Sequence, residues 1–301
     1  MTVYVVGLDG ADWSLLRENP DPEASGAGGD APSVASDLGG FSRLVDEGVA
    51  SGLRSTLPPI TFPAWKCYST GKTPGRLGVY EWFAYDRESN EITTNDASDF
   101  RSREYWDVLA DEGFTPAVVN MPTTHPPNTG DGVLTVAGSP ASERGEFTKP
   151  TSLKAELLDA VPGYRVKPDL VLGEASPDEL VREAKTLTDQ RFDAATWLAE
   201  EKDADVVHLT VFVTDTVQHR LWDRPERIRE LYEHVDARLD ALLDRDDADS
   251  VFLMSDHGFT GIDETFLVNQ WLAERGDLAL GEDTGRSAGD ALTRVPLSTV
   301  L

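Results

Sequence analysis

Cysteine, lysine and long apolar stretches are scarce in this 301-residue sequence, and each scarcity excludes a class of protein. The single cysteine, Cys67, excludes an internal disulfide framework and a zinc cluster built from several cysteines. The longest apolar stretches, such as residues 206–213, have the length of a β-strand and are far too short to span a membrane. Residues 2–8 lack the basic residues of a signal peptide, so we expect a cytoplasmic protein.

Basic residues are outnumbered by acidic ones, 27 against 54, and only seven of the basic residues are lysines. The resulting formal net charge of −27 repels nucleic acid and anionic membranes, so we exclude both as extended partners. A surface this acidic is well hydrated, and salt at high ionic strength screens the repulsion between its charges. The hypothesis is a halophilic protein of a high-salt cytoplasm; the alternative is an ordinary acidic enzyme.

Apolar segments of strand length alternate with amphipathic helices. We predict buried strands at residues 3–8, 115–120, 206–213 and 251–254, and helices at residues 41–47, 63–70, 105–112, 178–201 and 225–243. This alternation predicts an α/β fold with a mainly parallel central sheet flanked by helices. We expect a single domain over residues 1–301, with a surface loop at 20–40 and an insertion at about 122–200 that roofs the site.

Acidic residues and histidines follow three of the predicted strands. The first strand ends at Asp9, a later one leads to Asp215 and His219, and the last leads to the adjacent Asp256 and His257. Because the carboxyl ends of parallel strands meet at one edge of a sheet, we expect these side chains to form one site. Carboxylates and imidazoles suit a catalytic divalent cation. Taken singly, each residue could instead be a helix cap or a turn residue.

Thr61 precedes Phe62 and Pro63 at a predicted junction between a loop and a helix. A hydroxyl there meets the free N–H groups and the positive dipole end of the helix, which favour a phosphate. A cation bound to the hydroxyl would lower its pKa and make it a nucleophile. The alternative is that Thr61 merely caps the helix.

Together these motifs resemble the alkaline phosphatase superfamily, in its type I phosphodiesterase/nucleotide pyrophosphatase branch. The resemblance extends from the N-terminus to about residue 280 through the segments "GLDGADW", "TFPAW", "TGKTPGRLGVYEW", "TDTVQH", "SDHGF" and "LVNQWLAERGDL". It implies that Asp9, Thr61, Asp256 and His257 bind one cation. It also implies that Asp215 and His219 bind a second cation with a further histidine nearer the C-terminus.

No histidine follows His257, so the resemblance leaves the second set of ligands incomplete. Either the chain is a fragment of a longer one, or another residue replaces this histidine, or the second site lacks a ligand. His125 and His208 are candidate replacements, although we interpret them as a loop residue and a buried strand residue. His234 is expected on a solvated helix face. Near Glu81 and Trp82 the sequence also lacks the phosphate-contacting asparagine of nucleotide pyrophosphatases.

Two other phosphate- or sulfate-related motifs fail. Residues 71–73 match the last three positions of the phosphate-binding P-loop motif, but Lys66 occupies the position where the motif requires its first glycine. Cys67 lacks the downstream Cys-x-Pro-x-Arg pattern by which sulfatases form formylglycine. Lys72 and Arg76 either hold an anionic substrate or are solvated loop residues.

The resemblance therefore implies a hydrolase of small phosphate esters, a phosphodiesterase or phosphatase. It would act through Thr61 and two divalent cations, zinc or alternatively manganese. The alternatives are a phosphomutase with the same machinery and an inactive protein that binds a phosphorylated ligand.

Overall fold

The structure is a computed structural model that describes residues 1–12, 15, 38–86, 88–100, 102–170, 174–262 and 264–279. Most of the predicted loop at 20–40 and the C-terminal segment after residue 279 lie outside these residues. Within them, no helix combines the length and apolarity that crossing a membrane requires.

A six-stranded sheet forms the centre of the described fold. In chain order, the strands are β1 (Thr2–Leu8), a separate hairpin of β2 (Phe83–Asp86) and β3 (Glu91–Thr94), β4 (Pro116–Val119), β5 (Leu134–Val136), β6 (Thr148–Lys149), β7 (Val206–Val211) and β8 (Ala248–Met254). The spatial order of the large sheet is β6-β5-β4-β7-β1-β8. All neighbours are parallel except β5 and β6. This confirms the predicted α/β fold with a mainly parallel sheet.

Helices cover both faces of the sheet. They are α1 (Gly39–Glu47), α2 (Thr61–Thr70), α3 (Pro74–Leu77), α4 (Tyr105–Asp111), α5 (Leu153–Ala160), α6 (Pro177–Glu201), α7 (Val213–Leu221), α8 (Pro225–Leu243) and α9 (Val268–Glu274). Alternate residues of β1 point to opposite faces. Tyr4, Val6 and Leu8 join the main core with residues of α1, α6, α7 and α8. On the other face, Trp65 of α2 and Trp106 of α4 form a second cluster with β4.

The nine predicted elements are all present, most within two residues of their expected ends. Local sequence signals mark some of these ends. At the start of α6, for example, Ser176 and Glu179 form a capping box, and Pro177 occupies the first turn. The predicted strand at 206–213 ends earlier, because residue 213 begins α7. Strands β5 and β6, each of two or three residues, were too short to predict from the sequence.

Strand β8 differs from the buried strand that its apolar sequence predicted. It lies at the edge of the described sheet, and Phe252 is 59% exposed. Part of the proposed insertion at 122–200 also belongs to the main fold, because α6 packs in the main core and β5 and β6 extend the sheet. A role of this insertion in roofing the site stays a prediction.

Candidate metal centre and nucleophile

The carboxyl ends of β1, β7 and β8 bring the predicted acidic residues to one edge of the sheet. Leu8 pairs with Val211 of β7, and Gly7 pairs with Met254 of β8. Asp9 therefore leaves β1 beside the start of α7, which carries Asp215 in its first turn, and beside the turn that carries Asp256. Asp9, Asp215 and His257 each offer a ligand atom within 4.8 Å of the others.

Thr61 is the first residue of α2 and points into this cluster. Ile60 occupies the N-cap position, so the alternative in which Thr61 is the N-cap residue is wrong. Its hydroxyl lies 2.9 Å from Nε2 of His257 and donates to Oδ1 of Asp9 at 3.4 Å. The helix begins at Thr61 rather than at residue 63 as predicted, which places the hydroxyl at the positive end of the helix dipole.

His257 lies close to three other predicted ligands, at spacings near those of a tetrahedral cation site. Bonds of about 2.0–2.1 Å separate ligand atoms by about 3.3–3.4 Å in a tetrahedron. Nε2 of His257 lies 3.4 Å from Oδ2 of Asp256 and 3.6 Å from Oδ1 of Asp9. The Thr61 hydroxyl lies 2.9 Å from the same nitrogen of His257 and 3.4 Å from Oδ1 of Asp9, so it belongs to the same set of short contacts.

Asp215 and His219 form the neighbouring pair on α7. They are four residues apart, on one face of the helix, and Nε2 of His219 lies 3.4 Å from Oδ2 of Asp215. Burial, together with the charges of His257 and Arg220, lowers the pKa of His219 and favours the neutral imidazole that binds cations. The pair offers two ligands and leaves His219 partly open to solvent.

The three carboxylates are deeply buried and close to one another. Burial and the neighbouring Asp256 raise the pKa of Asp9 well above its ordinary value. Burial and the charge of Asp9 raise the pKa of Asp215 to about 8. Burial likewise raises the pKa of Asp256. Among the described residues, the only ion-pair partners of these carboxylates are His219 and His257.

Two buried carboxylate oxygens show that the site suits a cation. Oδ1 of Asp215 and Oδ2 of Asp256 accept no hydrogen bond from any described residue. A buried carboxylate oxygen that accepts no hydrogen bond is costly to ionise, and a divalent cation satisfies several such oxygens at once. The donor set of carboxylate, imidazole and hydroxyl therefore fits divalent cations.

Several residues that support this cluster were not found from the sequence. The backbone N–H of Gly10 donates to Asp256, and its φ of +67° is the left-handed region in which glycine is unstrained. Gln218 donates to the carbonyl of Gly10, one helical turn beyond Asp215. Phe259 packs edge-on against His219, with ring centroids 4.8 Å apart. Of these three residues, only Gln218 carries a signal in the sequence, because it lies three positions after Asp215.

Trp65 also contacts the cluster and was not singled out from the sequence. Its indole Nε1 donates to Oδ2 of Asp9 at 2.8 Å. It lies one helical turn after Thr61 on α2, so both side chains reach Asp9 from the same helix.

The remaining histidines lie outside the cluster. His208 is buried as expected, and both its ring nitrogens have hydroxyl groups within hydrogen-bonding distance, Thr210 on Nε2 and Tyr105 on Nδ1. Burial lowers its pKa to about 3. His125 lies in a loop, as expected. His234 is less solvated than predicted, because it bonds Asp189 of α6 at 2.8 Å.

The two candidate anion-binding residues do not join the cluster through any described contact. Lys72 is exposed and donates to Ser102 at 2.6 Å, and Arg76 is exposed on α3. A role of either residue in substrate binding stays a prediction.

Comparison with known protein families gives one match. Residues 28–296 match the family described as Type I phosphodiesterase / nucleotide pyrophosphatase, which is most of the chain. No individual curated protein matched the chain.

Solved structures share the fold. Phosphonoacetate hydrolase from Sinorhizobium meliloti 1021, in complex with phosphonoformate, is 20% identical, with a TM-score of 0.61 over 92% of this chain and 62% of that chain. Murine ectonucleotide pyrophosphatase/phosphodiesterase 5 is 14% identical, with a TM-score of 0.52 over 86% of this chain and 57% of that chain. An inactive variant of the murine protein, in complex with AMP, is 13% identical with a TM-score of 0.53, over 85% of this chain and 57% of that chain. The chain thus spans about three fifths of the length of these proteins.

Proposed function

The chain belongs to the type I phosphodiesterase/nucleotide pyrophosphatase family of the alkaline phosphatase superfamily, and on this premise we propose that it hydrolyses small phosphoric esters. The reaction would use Thr61 as nucleophile and divalent cations as cofactors. Asp9, Thr61, Asp256 and His257 would hold the first cation, and Asp215 and His219 the second.

One observation carries this proposal: the Thr61 hydroxyl lies inside the ligand cluster at the start of a helix. It is 2.9 Å from His257 and 3.4 Å from Asp9, although a threonine in this position could have faced solvent or capped a helix. A hydroxyl so placed shares a cation with its neighbours and meets the free backbone N–H groups of α2.

The residues of the site would then act in two displacements at phosphorus. The Thr61 oxygen attacks phosphorus, the bond to the leaving alcohol breaks, and a phosphothreonine forms. Water then attacks the same phosphorus, which releases phosphate or a monoester and restores the Thr61 hydroxyl. The N–H groups at the start of α2 stabilise the phosphoryl oxygens throughout. When bound, divalent cations would lower the pKa of the hydroxyl and neutralise charge on the phosphoryl group.

The substrate class is small and anionic at the reacting end. The structural neighbours were solved with phosphonoformate, phosphonoacetate and AMP, each of which carries a phosphoryl or phosphonyl group. The net charge of the chain supports a compact ligand rather than a polyanion, because a net charge of −27 repels extended anions. The same donor set accepts zinc and manganese.

The acidic composition supports activity at high salt. We expect unfolding temperature and turnover to rise between dilute buffer and molar potassium chloride, because salt screens the repulsion among 54 acidic residues. Unchanged stability over this range would contradict the halophilic hypothesis. A cytoplasmic location stays a prediction.

The test is metal content per chain, measured by elemental analysis, beside hydrolysis of p-nitrophenyl phosphate and bis-p-nitrophenyl phosphate in high salt. Bound cation together with turnover would support the proposal, and the preference for diester or monoester would assign the subclass. Bound cation with no release of p-nitrophenol from either ester would favour a mutase or an inactive binding protein. A protein that binds no divalent cation would refute the proposed site.

A further inference from the structure

The two oxygens of the Asp9 carboxylate face different partners. Oδ2 accepts the indole N–H of Trp65 at 2.8 Å, whereas Oδ1 lies 3.4 Å from the Thr61 hydroxyl and 3.6 Å from Nε2 of His257. Oδ1 is therefore the Asp9 oxygen that faces the candidate ligand atoms of Thr61 and His257. The indole contact occupies the oxygen that could otherwise turn towards the cation.

The indole is held against the strand that carries Asp9. Trp65 is fully buried, and Gly7, two residues before Asp9, lies directly beneath it. A Cβ atom at Gly7 would come within 2.4 Å of the indole Cη2, so only glycine permits this approach. The rings of Tyr68 and His208 meet the indole edge-on, with centroids 5.9 and 5.8 Å away. These contacts leave the indole little freedom to rotate away from Asp9.

The hydrogen bond also acts on the charge of Asp9. An N–H donor stabilises the ionised form of a buried carboxylate, which is the form that binds a cation.

We propose that Trp65 is a positioning residue that holds Asp9 for single-oxygen coordination of the first cation through Oδ1. The inference rests on the proposed function, since it concerns a cation at that site. Thr61 and Trp65 lie one turn apart on α2, so the same helix sets the nucleophile and the orientation of the ligand beside it. Partners that orient a metal ligand typically change cation affinity by about 10- to 100-fold when removed.

The structure supplies a matched control for this proposal. Trp106 is also fully buried and belongs to the same apolar cluster, but its indole N–H has no hydrogen-bond partner among the described residues. Trp65→Phe and Trp106→Phe therefore both exchange a buried indole for a smaller ring, and only Trp65→Phe removes a hydrogen bond to Asp9.

The experiment measures Zn²⁺ and Mn²⁺ affinity of both variants and the wild type by competition with a chromogenic chelator. Metal-free thermal unfolding of the same proteins measures the cost of packing. We expect Trp65→Phe to weaken cation binding at one site about 10- to 100-fold, while Trp106→Phe binds like the wild type. In the active enzyme, Trp65→Phe should lower kcat with little change in KM, because the change affects the nucleophile and its cation rather than the substrate.

Wild-type affinity in Trp65→Phe, or equal losses in both variants, would overturn the proposal. A wild-type protein that binds neither cation would instead refute the proposed function itself. If Trp65→Phe does not fold, a crystal structure of the wild-type protein with its cation decides the question. Coordination through Oδ1 alone, with Trp65 still bonded to Oδ2, supports the proposal, and two-oxygen coordination by Asp9 overturns it.

Discussion

Removal of divalent cations should make this protein lose stability as the pH rises, because the folded state buries carboxylates that the unfolded chain exposes. Asp215 has a pKa of about 8 in the folded state against 3.8 as the reference value. The folded protein therefore holds more protons than the unfolded chain between these values, and its unfolding free energy falls as pH rises through this window.

The size of this loss of unfolding free energy follows from the pKa shift of Asp215. One pKa unit corresponds to about 1.4 kcal/mol, so Asp215 alone should lower the unfolding free energy by about 4 kcal/mol between about pH 5 and pH 8. Burial raises the pKa of Asp9 and of Asp256 in the same direction, so they add to the loss. The assay is urea unfolding of chelator-treated protein at constant molar salt across this pH range.

Asp215→Asn isolates the contribution of this one side chain. The variant keeps a neutral side chain at every pH, so metal-free variant and wild type should agree near pH 5 and diverge as the wild type loses stability. Asp249→Asn, at an exposed position of β8, controls for the removal of one negative charge from an acidic protein. Saturating Mn²⁺ should abolish the wild-type loss, because the cation binds the ionised carboxylates. Equal pH dependence in the metal-free wild type and Asp215→Asn would refute the reasoning.

Two further predictions concern α2, the helix that carries Thr61. Lys66 of α2 and Glu104 form a buried ion pair at 2.8 Å, so Lys66→Met should cost about 3–5 kcal/mol of unfolding free energy by leaving a buried carboxylate unpaired. Lys66→Met combined with Glu104→Gln should recover much of this loss in urea unfolding, and a double variant no more stable than the single one would contradict the pairing. Gly7→Ala should destabilise the metal-free protein by about 1–3 kcal/mol because the added methyl group overlaps Trp65. If the Gly7→Ala variant keeps wild-type stability and cation affinity, the position of the Trp65 indole does not depend on the absence of a side chain at residue 7.

The fold was predictable where local sequence signals are strong. Helix α8 begins with proline at residue 225 and carries buried apolar residues at helical spacing, and its observed bounds match those predicted. The burial of β8 was mispredicted, because an apolar run does not reveal whether the strand lies inside the sheet or at its edge. The hairpin of β2 and β3 was missed because its strands are only four residues long and carry no apolar alternation, and β3 is exposed throughout.

Part of the candidate site was likewise predictable from the sequence, and part was not. The candidate ligands Asp9, Asp215 and His257 could be predicted to meet, because each follows a strand of one parallel sheet. The role of Trp65 could not be predicted, since its contact with Asp9 joins residues 56 positions apart and depends on how α2 packs on β1. The position of Thr61 inside the helix, rather than at its cap, likewise required the structure.

The most direct test of Thr61 as nucleophile compares Thr61→Ala with Thr61→Ser for cation content and for hydrolysis of the better p-nitrophenyl ester. We predict that Thr61→Ser retains measurable turnover, because serine supplies the same hydroxyl. Thr61→Ala should lose turnover while it still binds cations through Asp9, Asp256 and His257. Turnover by Thr61→Ala at a rate comparable to the wild type would contradict the account, because hydrolysis would then proceed without the threonine oxygen.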